Sequence, residues 1–477
     1  MLVSNQAKVV VIGLDCAEPT LVFEEWIDEL PHIKKIMDTG SYGRMRSSDP
    51  PITVPAWASM MTGKDPGQLG FYGFRNRNSY DYEDMRLTDS TSLVEPTVWD
   101  ILGKRGYQSI ILGVPPSYPP KPIKGNLISC FLTPDHSVSY THPPELKEEI
   151  TDRVGTYQFD VKNFRTEQVN ELLDDIYQMT QIRFETAEYL LQHKPWDFFM
   201  MVEMGIDRIH HAFWHYMDEK HVLYTDSTYK EAIRKYYQYV DGRIGELLAC
   251  IPEDAHIFIV SDHGAKRMDG GLCINEWLMR EGYLKLKNKV DEPVPLTSDM
   301  IDWNKTMAWG FGGYYGRLCL NVKGREPKGI IPKRHFESIR NELISKLKQI
   351  KDEQGNLLET KVFKPQKRYK DVKRIPPDLI VYFGDLYWRS VGSVGNNTMY
   401  VYENDTGPDG ANHDYHGIFI SNTRPVYAKD ADIGRLHLMD MAPTLLSLFK
   451  IGKRKKMRGV NIFNEPSLYA RIKKRGP

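Results

Sequence analysis

Aspartate, histidine and one threonine carry the chemistry legible in this sequence. Asp207 and His211, in GIDRIHHAFWH, stand four apart in a segment of helical character, so both side chains fall on one face within reach of a single ion. His215 follows His211 by the same interval and His210 adjoins it, so spacing alone leaves the second ligand open. Asp262 and His263 sit in SDHG, where a sharp strand-to-loop turn sends adjacent side chains in different directions and Gly264 eases the backbone path. Asp15 closes the apolar run KVVVIGLD, and His413, with His416 as competitor, follows much later in GANHDYHGIFI. Three Asp and three His make a mixed oxygen and nitrogen set suited to zinc and acceptable to manganese or iron. Shared between two ions, they leave positions open for a phosphate and a nucleophile, as a catalytic site requires. Thr53, in SSDPPITVPAWASMMTG, is the candidate nucleophile: Pro55 favours a helix beginning there, and its free N–H groups suit a phosphate. A bare threonine hydroxyl attacks poorly, so the scheme requires a metal to lower its pKa. Taken singly, an Asp after a strand or a Thr before a helix is most often a cap or turn residue, and the weight lies in the combination.

The elements that must hold these residues are readable in outline. KVVVIGLD at 8–15, WDFFMMVEM at 196–204 and HIFIVSDHG at 256–264 are apolar runs expected as buried parallel strands, each running into acidic or histidine residues. Helical periodicity is clearest over 167–193 and about 228–250, and LHLMDMAPTLLSLFKI at 436–451 places Pro443 in the first turn of a further helix. Alternating strands and helices predict a doubly wound α/β fold with a mostly parallel central sheet and helices on both faces. Ligands in such sheets bind beyond the carboxyl ends of the strands, where these Asp and His residues lie. Residues 1–477 read as one catalytic domain, with 265–410, rich in Gly, Pro and aromatic residues, as an inserted cap. The stretch 114–165 reads as a second rim element, and 452–477 as a basic tail.

Composition limits the alternatives. Apolar residues at 41% and charged residues at 26% are the balance of a folded globular chain. The 63 basic and 63 acidic residues cancel, so no overall field points to specific nucleic-acid binding or an anionic membrane. No stretch approaches the roughly eighteen apolar residues of a membrane span, and the N-terminal run is too short for a signal core. The scattered Cys16, Cys130, Cys250, Cys273 and Cys319 fit free thiols, so a cytoplasmic location is expected, and the N-x-T triplets at Asn304, Asn396 and Asn404 carry no weight there. Lys453, Arg454, Lys455, Lys456, Arg458, Arg471, Lys473, Lys474 and Arg475 could dock an anionic surface, although a solvated tail is the commoner meaning.

With these residues in place the chain resembles the type I phosphodiesterase / nucleotide pyrophosphatase family of the alkaline phosphatase superfamily. The resemblance rests on GLD at 13–15, TVPAWASMMTG at 53–63, DRIHH at 207–211, SDHG at 261–264 and HDYHGIFI at 413–420, in the family's order, with MDMAPTLLSLF and MRGVNIF resembling its closing helix and tail. It implies an alkaline phosphatase-like fold and two divalent ions. Asp207, His211 and His413 would hold one, and Asp15, Asp262 and His263 the other with Thr53 beside it. It also selects His211 over His215 and His413 over His416. Ala56 and Trp57 stand where animal members carry an Asn near the nucleophile, resembling a prokaryotic branch; a sulfatase-type Cys or Ser motif is missing.

The implied reaction is attack of Thr53 on a small phosphorylated substrate, a nucleotide or other phosphodiester, through a phosphothreonine. Trp57, Tyr72, Tyr314, Tyr315 and Trp388 are candidates to stack on or cover a leaving group, and Arg75, Arg317 and Arg389 to meet phosphate oxygens, with core packing as the ordinary alternative for each aromatic. The competing readings are a phosphomonoesterase, phosphonate hydrolase or mutase of the same superfamily and, outside enzymes, a metal-binding pseudoenzyme that recognises a phosphorylated partner. The sequence leaves the oligomeric state open.

Overall fold

The computed structural model describes residues 7–467. Eleven strands matter to the site: β1 (Val9–Leu14), β2 (Ser41–Arg46), β3 (Ser109–Leu112), β4 (Gly125–Ile128), β5 (Thr141–His142), β6 (Phe198–Glu203), β7 (His256–Val260), β8 (Gly264–Arg267), β9 (Ala411–Asp414), β10 (His416–Ser421) and β11 (Asp432–His437). All but β8 and β9 form one sheet in the order β11-β2-β10-β7-β1-β6-β3-β4-β5. The pairs β7–β1, β1–β6, β6–β3 and β3–β4 are parallel, while β10 runs antiparallel to both neighbours and β5 to β4. Every residue of β1, β3 and β6 is buried, which is why their sequences are continuous apolar runs rather than alternating ones. This is a large, mostly parallel α/β sheet, as the alternation of strands and helices predicts.

The helices form two groups. Val169–His193, α2 (Gly205–Met217) and Ala232–Leu248 pack on one another, with Pro31–Thr39 against the last. A separate group joins α1 (Thr53–Thr62), Val98–Gly103 and Met441–Leu448, whose third residue is Pro443. The stretch 114–165 is less of a rim than its composition suggests, since it contains β4 and the edge strand β5 of the central sheet. Their brevity, four and two residues, hides them from periodicity.

Between β8 and β9 the chain builds a second apolar core. Ala308–Phe311, Gly316–Leu320, Leu379–Tyr382 and Lys361–Phe363 pair in that order as an antiparallel sheet. Trp277, Leu318, Leu343, Val381 and Trp388 are among the buried residues of its core. Of the basic tail residues, Arg471, Lys473, Lys474 and Arg475 lie outside the described residues. Arg458 is tied to Asp65 at 2.5 Å.

Candidate active site

Three neighbouring parallel strands, β7, β1 and β6, deliver their carboxyl ends side by side. Asp15 directly follows β1, and Asp262 and His263 follow β7. Asp207 lies in the first turn of α2, immediately beyond β6. The start of α2 is fixed from below: buried Glu203 accepts a hydrogen bond from the Gly205 amide at 2.8 Å, and a Cβ at Gly205 would lie 1.7 Å from the Tyr236 hydroxyl. His211 stands one turn above Asp207, with Nε2 3.3 Å from Asp207 Oδ1. His210 turns instead into the core toward the Tyr237 hydroxyl at 3.2 Å, and His215 packs beside Tyr216.

His413 arrives on β9, which pairs antiparallel with β8 so that His413 faces Ala265. One two-stranded ribbon therefore fixes both the SDHG turn and the late histidine. Gly264 is required there by close approach, since a Cβ would sit 2.1 Å from the His416 carbonyl oxygen. Helix α1 begins at Thr53 itself, with Ile52 as the extended N-cap. Thr53 is thus the first helical residue rather than the cap, and its hydroxyl lies 3.3 Å from His263 Nε2. The first turn of α1 leaves amides without helical acceptors at this spot.

The ligand atoms converge. Asp207, His211 and His413 offer atoms all within 4.8 Å of one another, and so do Asp15, Asp207 and His263. Asp207 belongs to both groups, while Asp262 reaches the second through Oδ2, 3.2 Å from His263 Nε2. All six are buried. Asp15 Oδ1, Asp207 Oδ1 and Asp262 Oδ2 have no hydrogen-bond partner, a costly arrangement for buried carboxylates that a cation relieves. Burial, then the neighbouring Asp207 carboxylate, pushes the Asp15 carboxyl well above its ordinary range. Burial does the same to Asp262, aided by Asp15 and Asp207. Burial drives His263 down to about 4 and His413 well below its ordinary value, leaving neutral rings with lone pairs to donate. Burial also opposes charge on His211, but Asp409 and Asp207 outweigh it and raise that ring to about 9. The donor set therefore suits divalent ions.

Several supporting residues escaped the sequence reading. Asp409 accepts a hydrogen bond from His211 Nδ1 at 2.7 Å, leaving Nε2 to face Asp207. It also accepts from the Tyr314 hydroxyl at 3.2 Å and pairs with Arg165 at 3.0 Å. His413 Nδ1 lies 2.9 Å from the Pro51 carbonyl, and Arg208 bridges Asp207 and Asp160 at 2.6 Å each. Asp409 occupies an irregular loop, so only tertiary structure reveals it.

A cleft of about 1040 Å³ opens over Thr53, Asp207 and His413. Of the residues expected to meet substrate, Arg75, Tyr314, Tyr315, Arg317 and Arg389 line it. Tyr314 stacks on His413 with centroids 4.2 Å apart. Trp57, Tyr72 and Trp388 do not line it. Trp57 is fully buried and donates from Nε1 to Asp15 Oδ2 at 2.7 Å, because its place one turn after Thr53 directs it beneath the site against Gly13. Tyr72 is buried with its hydroxyl on the Lys373 carbonyl at 2.6 Å, and Trp388 packs in the second core.

The type I phosphodiesterase / nucleotide pyrophosphatase family matches residues 9–416. The chain belongs to that family. It is accordingly a hydrolase of the family's phosphoester chemistry, which is metal-dependent. No curated protein sequence matches the chain. Among solved structures, human ectonucleotide pyrophosphatase / phosphodiesterase 5 superposes over 94% of this chain and 96% of its own, with TM-score 0.53 at 14% identity. Phosphonoacetate hydrolase from Sinorhizobium meliloti 1021, in complex with phosphonoformate, superposes over 93% and 95%, with TM-score 0.59 at 13% identity. An inactive variant of the murine phosphodiesterase 5 in complex with AMP gives TM-score 0.52 at 14% identity over 93% and 95%. At such identities the likeness is one of fold. Within the described residues no helix is long and apolar enough to cross a membrane.

Proposed function

We propose that this family member hydrolyses phosphodiesters at a two-ion site, with zinc the best fit, using Thr53 as nucleophile. The observation that carries the reading is the cluster of three imidazoles and three buried, unpartnered carboxylate oxygens, with the Thr53 hydroxyl at the start of α1 lying 3.3 Å from His263 Nε2. Asp207, His211 and His413 would hold one ion, and Asp15, Asp262 and His263 the other, with Asp207 near enough to serve both. Bound ions would neutralise the phosphoryl oxygens and lower the pKa of the Thr53 hydroxyl. Thr53 Oγ forms the new bond to phosphorus as the bond to the leaving oxygen breaks, giving a phosphothreonine that water hydrolyses. The free amides of α1 face the phosphoryl oxygens. The volume and aromatic lining of the cleft favour a diester, whose second esterifying group needs a place to rest.

The test is hydrolysis of bis-p-nitrophenyl phosphate by the zinc-loaded chain and by Thr53→Ala, with metal content measured on both. Thr53→Ala should lose at least about 10³-fold in kcat while keeping its metal. A variant that retains turnover removes Thr53 from the reaction. A strong preference for p-nitrophenyl phosphate or phosphonoacetate would move the assignment to monoester or phosphonate hydrolysis, and metal binding without any turnover to the pseudoenzyme reading.

A further inference from the structure

The arginines lining the cleft divide into two kinds. Arg165 is neutralised by Asp409 at 3.0 Å, Arg208 by Asp160 and Asp207 at 2.6 Å, and Arg389 faces Asp405 at 3.5 Å. Arg75 and Arg317 line the same cleft, yet among the described residues neither pairs with a carboxylate. They are neighbours by construction: Arg317 Nη1 donates to the Arg75 carbonyl oxygen at 2.6 Å, which docks its strand on the Arg75–Arg77 strand. The Nε of Arg317 is buried without a hydrogen-bond partner, and the guanidinium lies 5.4 Å from the Phe311 centroid and 6.0 Å from that of Tyr315. Of the acidic side chains lining the cleft, Asp160, Asp207 and Asp405 face the other arginines, and Glu83 accepts from the Ser298 amide at 3.2 Å. The exposed Arg75 and the half-buried Arg317 thus stand side by side on a cleft whose wall includes Leu296, Ile301 and Trp309, with no carboxylate among the described residues paired to either guanidinium, so an incoming anion meets two uncompensated cations.

We infer that Arg75 and Arg317 form a second anion subsite, so the substrate is a phosphodiester carrying a further fixed negative charge, a phosphoryl or carboxylate group, away from the scissile phosphorus. The inference rests on the phosphodiesterase reading for its orientation but stands on different residues. Thr53, Asp207 and His413 hold the reacting phosphorus at one part of the cleft, and the arginine pair receives the second anion at another. A simple dialkyl or diaryl diester leaves this pair uncompensated.

Calorimetry on the zinc-loaded full chain tests it. Alkylphosphonates are compared with α,ω-bisphosphonates and ω-phosphonocarboxylates of the same and increasing chain length. In the wild type, the best two-anion compound should bind about tenfold or more tighter than its one-anion counterpart. In Arg75→Gln/Arg317→Gln that gap should close, and whichever second group gives the larger gap identifies it as phosphoryl or carboxylate. Absence of the gap in the wild type at every length, or its survival in the double variant, overturns the inference. Hydrolysis of bis-p-nitrophenyl phosphate is measured on the same preparations. Turnover without a gap leaves the hydrolase reading standing and removes the subsite; a gap without turnover does the reverse.

Discussion

Asp409 touches no reacting atom in this arrangement, but it decides which nitrogen of His211 faces the site. The Nδ1 hydrogen bond at 2.7 Å fixes the ring so that Nε2 lies 3.3 Å from Asp207 and 3.2 Å from His413 Nε2. Outer partners of this kind usually tune metal affinity by one or two orders of magnitude. Asp409→Asn should therefore weaken divalent-ion binding by about 10- to 100-fold, read by chelator competition. An unchanged affinity would mean that the ring is held by Tyr314 and the Ala411 carbonyl alone. Trp57→Phe probes the other group in the same way, because it deletes the Nε1 bond to Asp15 Oδ2 while conserving most of the packing beneath β1. Ion binding should fall with little change in thermal stability, and a drop in stability with intact ion affinity would make Trp57 a packing residue only. At this scale the sequence exposed the residues that sit at strand ends or one helical turn apart, because those positions have a fixed direction. It could not say which way Trp57 or Tyr72 points. Asp409, four residues before His413 in a loop without periodicity, has no local signature.

The elements that aim these side chains depend on contacts beneath the site. Helix α2 carries Asp207 and His211, two of the candidate ligands, and its first residue is pressed against the core by Glu203 and Tyr236. Glu203 is buried with Thr180 at 3.0 Å and Arg183 at 3.4 Å, so the network is anchored rather than free to yield. Gly205→Ala inserts a methyl 1.7 Å from the Tyr236 hydroxyl, which forces either the hydroxyl or the helix start to move. We expect a loss of about 1–3 kcal/mol in denaturant unfolding together with weaker ion binding. Adding Tyr236→Phe should recover part of both, a coupling that a double-mutant cycle measures. Additive effects would show that the contact is not what sets α2. The strands β1, β6 and β7 were legible because burial on both faces writes them as apolar runs, and Val169–His193 because one long face is buried. The strands of the second core were not, since each has only three to five residues and its apolar positions are shared with loops.

Across the whole molecule, the segment between β8 and β9 is fastened close to Thr53. Asp49, four residues before Thr53, binds Arg46 at 2.7 Å on its own side and Arg368 Nε at 2.6 Å from the inserted region. Tyr369 donates to the Asp49 carbonyl at 2.6 Å, and Tyr382 to its carboxylate at 3.3 Å. One carboxylate thereby joins the second core to the turn that starts α1. Burial by itself would raise the Asp49 carboxyl, but Arg46 and Arg368 outweigh it and hold it below its ordinary value. A folded pKa below the unfolded value of about 3.9 contributes stability above that pH, and the contribution disappears as pH falls through the folded value. Asp49→Asn removes the carboxylate that Arg46 and the more exposed Arg368 share and should cost about 1–3 kcal/mol near neutral pH. The deficit relative to wild type should begin to shrink below about pH 4, where the unfolded carboxyl takes up its proton, and vanish once pH falls through the lower folded value. Denaturant unfolding of both proteins across that range reads the difference directly. A deficit independent of pH would show that Asp49 acts through its shape and its backbone carbonyl rather than its charge. If the charge holds the inserted segment in place, Asp49→Asn should also raise KM for diesters more than it lowers kcat, since Thr53 and the Asp and His residues around it are untouched while the cleft wall contributed by that segment loosens.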